Sequence, residues 1–265
     1  MGEDEVVIGV ICSVAATVGW SVSFYRCLAV HRAVAAGGAR RALLSTAPLL
    51  AATVILAVLL TASAHDVRGD IRYLWMYTAV GMAVVRICLS LPSPATLDAA
   101  RTAVEGRNSP AAWSVLAATA GYSLAFAGAN VGDGPGWYVV VFSAALSCGT
   151  LYLFHSALEV AAHLPSRVAS DRSACAAWRL AALLVAAGAV CGRAACGNWV
   201  SASATTADFI GIAWVLAIPL AIEAALARIG PPRPEDTLGR FVAFLAAWAY
   251  LSTTFAYLAS LGPWS

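Results

Sequence analysis

The sequence contains no lysine, and all 16 of its basic residues are arginines. Without a lysine amine no side chain can form a Schiff base, which excludes cofactors linked through lysine. Charged residues make up only 11% of the 265 residues, whereas a typical soluble domain has about 25%. Hydrophobic residues make up 61%, so the composition indicates a membrane protein with no room for a sizeable soluble domain.

Motifs of common catalytic and metal sites are also absent from the sequence. It has no glycine-rich phosphate loop, no HExxH, no GxSxG and no aspartate-rich prenyl-transfer motif. The seven cysteines form no CxxC and have no histidine at metal-ligand spacing, which is typical of small packing residues. We therefore predict no metal and no cofactor, and an enzymatic function is disfavoured.

Eight apolar segments occupy most of the chain, and each approaches or exceeds the roughly 20 residues that cross a hydrocarbon core. Backbone groups inside a bilayer must be hydrogen-bonded within the protein, so these segments are predicted to be helices. The predicted fold class is an all-α integral membrane protein, with residues 1–265 forming one polytopic domain. The spans are predicted at Val6–Val30, Ala42–Ala64, Ile71–Leu91, Pro110–Val131, Gly136–Leu164, Ala174–Asn198, Thr206–Ile229 and Gly239–Leu261.

The arginines are concentrated on one side of this predicted membrane. Only Arg68, Arg72 and Arg193 fall in or near the even-numbered connections, and the other thirteen fall in or near the odd-numbered ones. Because arginine is retained on the cytoplasmic side, we expect the arginine-rich loops inside and both termini outside. We expect the bacterial plasma membrane, with a basic inner face that suits anionic lipids and gives no indication of a nucleic-acid partner.

The spans group into four hairpins that start at intervals of about 65 to 70 residues, which predicts repeated two-helix units in parallel orientation. The hairpins cover residues 6–64, 71–131, 136–198 and 206–261. The fourth and sixth spans also carry small residues every four positions, including Gly121 in one and Gly188 and Gly192 in the other. Such stripes let helix backbones approach closely, so we predict that these two helices are central.

Two ionisable residues are predicted deep in the membrane, where a charge is a functional candidate by default. Arg86 and Glu223 each lie about 15 residues into a span, roughly 23 Å from the outer surface at 1.5 Å per residue. Their equal depth and opposite charge predict an ion pair, with Pro219 interrupting the helix one turn before Glu223. The alternative is that both side chains extend to the inner interface and are purely structural.

A second polar group lies toward the inner end of the fifth span. His155, Glu159 and His163 are spaced one helical turn apart, which places them on one face of a helix. A histidine beside a carboxylate suits a proton relay, because imidazole titrates near neutrality. The same stripe of side chains could also recruit a metal. The alternative is an ordinary solvated helix end.

A third group is predicted near the outer ends of the spans. Arg72, Arg193 and Asp208, together with Asp70 and Asp133, are candidates for lining an outer vestibule. Exposed ion pairs are the simpler alternative.

The middle of the chain, Ile71 to Trp199, resembles the YjfL-like family of small bacterial inner-membrane proteins. The resemblance rests on the run from Glu105 to Ala112, on Gly121-Tyr122, and on two short alanine-rich runs, Ser173–Ala177 and Ala194–Trp199. Family members are built from helix hairpins that start outside, and their returning helix opens with an Asn-x-Ala-Ala type signature. Here Arg107 and Pro110 interrupt the usual run, and the second unit lacks the asparagine. The resemblance implies topology and no particular chemistry.

Another stretch, Ile71-Arg72-Tyr73-Leu74-Trp75 with Thr78, resembles the third helix of microbial rhodopsins. The retinal-binding lysine is missing, and Pro219 lies close to its expected place. This resemblance implies a seven-helix sensor-like form without covalent retinal.

Three hypotheses of function follow from these patterns. The first is a small-solute, ion or proton transporter or channel, with Arg86, Glu223 and Pro219 as its polar centre and His155 and Glu159 as an inner gate or proton step. The second is a structural or assembly subunit of a larger membrane complex, which the scarcity of deep polar groups favours. The third is the rhodopsin-like sensor. The expected partners are the lipid bilayer and either further copies of the chain or other membrane subunits.

Overall fold

The computed structural model describes residues 2–29, 43–91, 99–229 and 237–262. These ranges contain eight helices that are long and apolar enough to cross a membrane, and no β-strand. The predicted all-α membrane class is confirmed, and the chain is a polytopic integral membrane protein. The long helices are α1 (Glu3–Ala29), α2 (Ala47–Ala62), α3 (Ile71–Cys88), α4 (Ser109–Gly128), α5 (Trp137–Ala162), α6 (Ala174–Ala195), α7 (Ala202–Ile229) and α8 (Thr237–Ser260).

Polar residues fix where several of these helices begin. The side chains of Asp70, Asn108, Ser173 and Ser201 each accept a hydrogen bond from a backbone N–H in the first turn of the helix that follows. Such caps satisfy amides that have no partner within the helix. Asn108 does more, because its Nδ2 also donates to the carbonyl of Val168 at 2.6 Å. It thereby joins the start of α4 to the short helix Leu164–Ala169.

Helices α4 and α6 form the centre of the molecule and contact each other backbone to backbone. A Cβ added at Gly121 would collide with the carbonyl of Leu184, and one at Gly188 with the carbonyl of Gly121. Gly192 faces the Leu124 carbonyl in the same way. Close approach of this kind is what small-residue stripes permit. The prediction that Gly121, Gly188 and Gly192 lie at a central helix contact is confirmed.

The other helices surround this central pair. Helix α1 packs mainly against α3, and α8 packs mainly against α6. Helix α2 packs against α3 and α4, whereas α7 packs against α5 and α6. The four-hairpin repeat stays a prediction, since the main neighbours of α1 and α8 are not the helices next to them in sequence.

Helix α7 is not uniform. It consists of Ala202–Ala213 and Ala217–Ile229, joined by one 3₁₀ turn at Trp214–Leu216. Pro219 has no N–H to donate to the carbonyl four residues earlier, which weakens the α-helical pattern there. The prediction placed the interruption one turn before Glu223, but Pro219 lies within the regular helix Ala217–Ile229 and the break lies further back, at Trp214–Leu216.

Candidate functional site: a buried carboxylate with an arginine and a tyrosine

Glu223 on α7 is completely buried and is bound by residues from two other helices. Arg179 of α6 donates from Nε to Glu223 Oε1 at 2.9 Å and from its terminal nitrogen to Oε2. Tyr250 of α8 donates its hydroxyl to Oε1 at 2.7 Å. The three residues, here called the carboxylate cluster, connect α6, α7 and α8.

The carboxylate cluster lies toward the predicted inner side. Arg179 is five residues after the start of α6, and Glu223 is six residues before the end of α7. At 1.5 Å per residue both Cα atoms lie about 8–9 Å from these helix ends. Arg179 is only 8% exposed, so the pair is largely removed from solvent. A buried ion pair is retained only where desolvation is offset by bidentate geometry and further hydrogen bonds. This cluster has both.

The predicted pair between Arg86 and Glu223 is wrong. Arg86 instead donates from Nε to the carbonyl of Gly19 at 3.0 Å and from Nη1 to the hydroxyl of Ser90. Its guanidinium also lies over the ring of Trp20, 6.0 Å from the centroid. The reason is helix placement, because α3 packs against α1 and α2, whereas α7 packs against α5 and α6. The sequence pattern placed Arg179 only among the inner arginines and gave it no partner. Its position five residues inside an apolar span was the available signal.

The predicted stripe of His155, Glu159 and His163 requires a helix through all three residues, but α5 ends one residue before His163. The last residue of α5 is Ala162, and His163 follows with a left-handed backbone (φ 52°). The carboxylate of Glu159 accepts from the backbone N–H of Ser166 at 2.9 Å and from the Ser166 hydroxyl. His163 Nδ1 lies 3.4 Å from that carboxylate. His163 therefore lies just outside the helix but remains next to Glu159, one turn away, and the Glu159 carboxylate also caps the helix Leu164–Ala169.

His155 remains inside α5 and is 9% exposed. Its Nε2 is buried and has no hydrogen-bond partner among the described residues. The described residues contain no group of three or more His, Cys, Asp or Glu side chains that could hold a metal ion. The suggestion that the stripe recruits a metal therefore has no support from the geometry.

The predicted vestibule residues have separate neighbours. Arg72 pairs with Asp70 at 2.6 Å and is mostly exposed, while Arg193 donates to the carbonyl of Leu261 at 3.2 Å. Asp208 is exposed on α7. The Arg72 side chain holds the pKa of Asp70 down at about 2 through its hydrogen bonds. The vestibule lined by Arg72, Arg193 and Asp208 stays a prediction, and the simpler alternative of an exposed ion pair fits Arg72.

Two cavities lie away from the carboxylate cluster. A groove of about 610 Å³ runs along α1, α2 and α3, with an apolar lining that includes the hydroxyl residues Ser13, Thr17 and Thr78. A smaller pocket of about 190 Å³ lies at the predicted outer end, where the α4–α5 and α6–α7 loops meet. Neither cavity can be predicted from the sequence, because both depend on which helices are neighbours.

Comparison with known proteins adds no relative, since no family model, no curated protein and no solved structure matches the chain.

Proposed function

We propose that this membrane protein is a transporter or channel for a small solute, ion or proton, with the carboxylate cluster as its polar centre. The observation that carries the proposal is the buried contact of Glu223 with Arg179 and Tyr250. Arginine stays protonated, so only Glu223 of this pair changes charge with proton binding. Protonation of Glu223 would weaken the bidentate pair and leave Arg179 in need of another partner. The carboxylate cluster therefore has two charge states, which suits a proton-coupled transport step.

The break in α7 supports a moving part next to this charge. The 3₁₀ turn Trp214–Leu216 and Pro219 separate the outer part of α7 from the part that carries Glu223. Broken helices recur near the binding sites of transporters. The backbone contact between α4 and α6 leaves no space between these two helices. A pathway would therefore run on the side of α5, α7 and α8.

The proposed topology has the arginine-rich loops in the cytoplasm and both termini outside, in a bacterial plasma membrane. The carboxylate cluster then lies in the inner half of the membrane. The four-hairpin arrangement and the YjfL-like topology belong to the same proposal, and cysteine accessibility mapping of the loops would test them.

The deciding experiment is ion and proton flux into proteoliposomes, at inner pH values on both sides of histidine titration. Wild type should show a flux that Glu223→Gln abolishes, because glutamine cannot cycle between charged and neutral forms. Arg86→Gln is the matched control: Arg86 is an equally deep charged residue outside the cluster, and its loss should leave the flux close to wild type. Folding of each variant is checked by size-exclusion chromatography.

An assembly subunit is the second candidate, and the complete hydrogen bonding of Glu223 favours it. A carboxylate that is 0% exposed and held by two partners also serves simply to fix α6, α7 and α8 together. Folded wild-type protein that conducts no common ion and always purifies with fixed partner chains would establish this alternative. The rhodopsin-like sensor is the third candidate. Uptake of non-covalent retinal, seen as a visible absorption band, would support it.

A further inference from the structure

The outer pocket is built from two loops that are hydrogen-bonded to each other. Gly197 donates its N–H to the carbonyl of Val131 at 2.9 Å, and Trp199 donates to the carbonyl of Asp133 at 2.8 Å. The N–H of Asp133 donates in turn to Asn198 Oδ1 at 2.8 Å. These bonds hold the α4–α5 loop against the α6–α7 loop. The pocket therefore has a fixed rim.

Asn130 lines this pocket and carries an acceptor without a partner. The residue is 5% exposed, and its Nδ2 donates to the carbonyl of Phe126 at 3.0 Å. That bond settles the orientation of the amide, because the oxygen could not face another carbonyl. Oδ1 is buried and has no hydrogen-bond partner among the described residues. A buried acceptor left without a donor is costly, so a donor from outside the chain, either a water or a ligand, is expected here.

The charges that line the pocket are all negative. Asp66, on the short helix His65–Gly69, and Asp133 are both exposed and both line it. The nearby arginines have other neighbours, since Arg68 donates to the carbonyl of Thr61 and Arg193 to that of Leu261. No arginine lines the pocket within the described ranges, and the chain has no lysine. The pocket therefore offers acceptors and negative charge to whatever enters it.

We propose that the outer pocket binds a small organic cation that carries a primary ammonium group. The ammonium would donate to Asn130 Oδ1, while Asp66 and Asp133 supply the opposite charge. The volume of about 190 Å³ corresponds to about six water molecules at 30 Å³ each, more than a bare ion fills. The described residues also lack a cluster of three His, Cys, Asp or Glu ligands, which a transition metal would favour. The site stands apart from the carboxylate cluster and does not require that the protein transport anything.

The test is isothermal titration calorimetry of the detergent-purified full chain with ethylammonium chloride, beside sodium chloride. We expect saturable binding of ethylammonium and at least about tenfold weaker binding of sodium. Asn130→Leu removes the acceptor and should abolish binding. Asp66→Asn should weaken binding at least about tenfold, because it removes the negative charge. The fold should be kept, since the asparagine oxygen can still accept the hydrogen bond from the Val67 N–H. Asp208→Asn is the matched control, because Asp208 is an exposed acid at the same end that does not line the pocket.

The binding measurements either support or overturn the proposed ammonium site. Binding lost in Asn130→Leu and weakened in Asp66→Asn, but kept in Asp208→Asn, supports the site. If Asn130→Leu does not fold, Asp66→Asn and the Asp208→Asn control decide the matter alone. No heat with ethylammonium, equal binding of sodium, or equal effects of the two aspartate variants would each overturn the proposal. None of these results depends on the flux experiment.

Discussion

Arg86 and Glu223 have the same predicted depth in the membrane, but the structure surrounds them differently. Glu223 is fully buried and bound by Arg179 and Tyr250. Arg86 is half-buried and uses a backbone carbonyl, a serine hydroxyl and the face of Trp20. A long guanidinium side chain can reach such neutral partners at the edge of a bilayer, whereas a short buried carboxylate needs a countercharge. Depth along a helix is therefore a poor guide to partners, which depend on the neighbouring helices.

The largest expected effect comes from Arg179→Gln. It leaves the Glu223 carboxylate buried without its cation, and breaking a buried pair in this way costs about 3–5 kcal/mol of unfolding free energy. The measurement is denaturant unfolding in mixed micelles, followed by tryptophan fluorescence. The double variant Arg179→Gln with Glu223→Gln should recover part of the loss. A double variant as unstable as the sum of its single variants would show that the two residues are not coupled.

Tyr250→Phe should have a smaller effect on the same cluster. It removes one hydrogen bond to a charged acceptor and keeps the ring, which corresponds to about 1.5–3 kcal/mol. The unfolding assay is the same, and Tyr257→Phe is the matched control, since that hydroxyl donates to the carbonyl of Ile212 instead. Equal losses in the two variants would mean that the charge of Glu223 adds nothing to the bond.

Arg86→Gln should cost less again, about 1 kcal/mol, because Arg86 is only half-buried and the polar groups that it contacts at Gly19 and Ser90 can be satisfied by water or by the helix. The contrast with Arg179→Gln is the direct test of the comparison between the two charges. A loss as large as that of Arg179→Gln would contradict this difference between the two charges.

The smallest effect is expected at the exposed pair of Asp70 and Arg72. The folded-state pKa of Asp70, about 2, lies below the ordinary value of about 3.9. The pair therefore contributes stability above about pH 4, and this is lost as the pH falls through 2. The difference in unfolding midpoint between wild type and Asp70→Asn should be smaller at pH 2.5 than at pH 5. High salt at pH 5 should shrink the difference, as expected for an exposed pair. A difference that is unchanged at pH 2.5 would contradict the assignment.

Local sequence patterns predicted the features that are determined within a single helix. Span positions follow from apolar length, and the central place of α4 and α6 follows from glycines spaced by four residues. The effect of Pro219 follows from its missing N–H. The partner of Glu223 could not be found in this way, because Arg179 belongs to another helix, 44 residues away. The unpaired side-chain oxygen of Asn130 could not be predicted for the same reason, since the pocket around it is formed by segments distant in sequence. His163 shows a further limit, because the end of α5 depends on a backbone conformation that helical periodicity does not detect.

The glycine contact between α4 and α6 has a mechanical consequence. Two helices that touch through their main chains at Gly121, Gly188 and Gly192 have no side chains at these points to rearrange, so they behave as one rigid unit. We expect any working motion of this protein to be a rotation or slide of the outer helices about that rigid pair. Enlarging one of these glycines would push the two helices apart, and its effects would appear at sites far from the substituted residue.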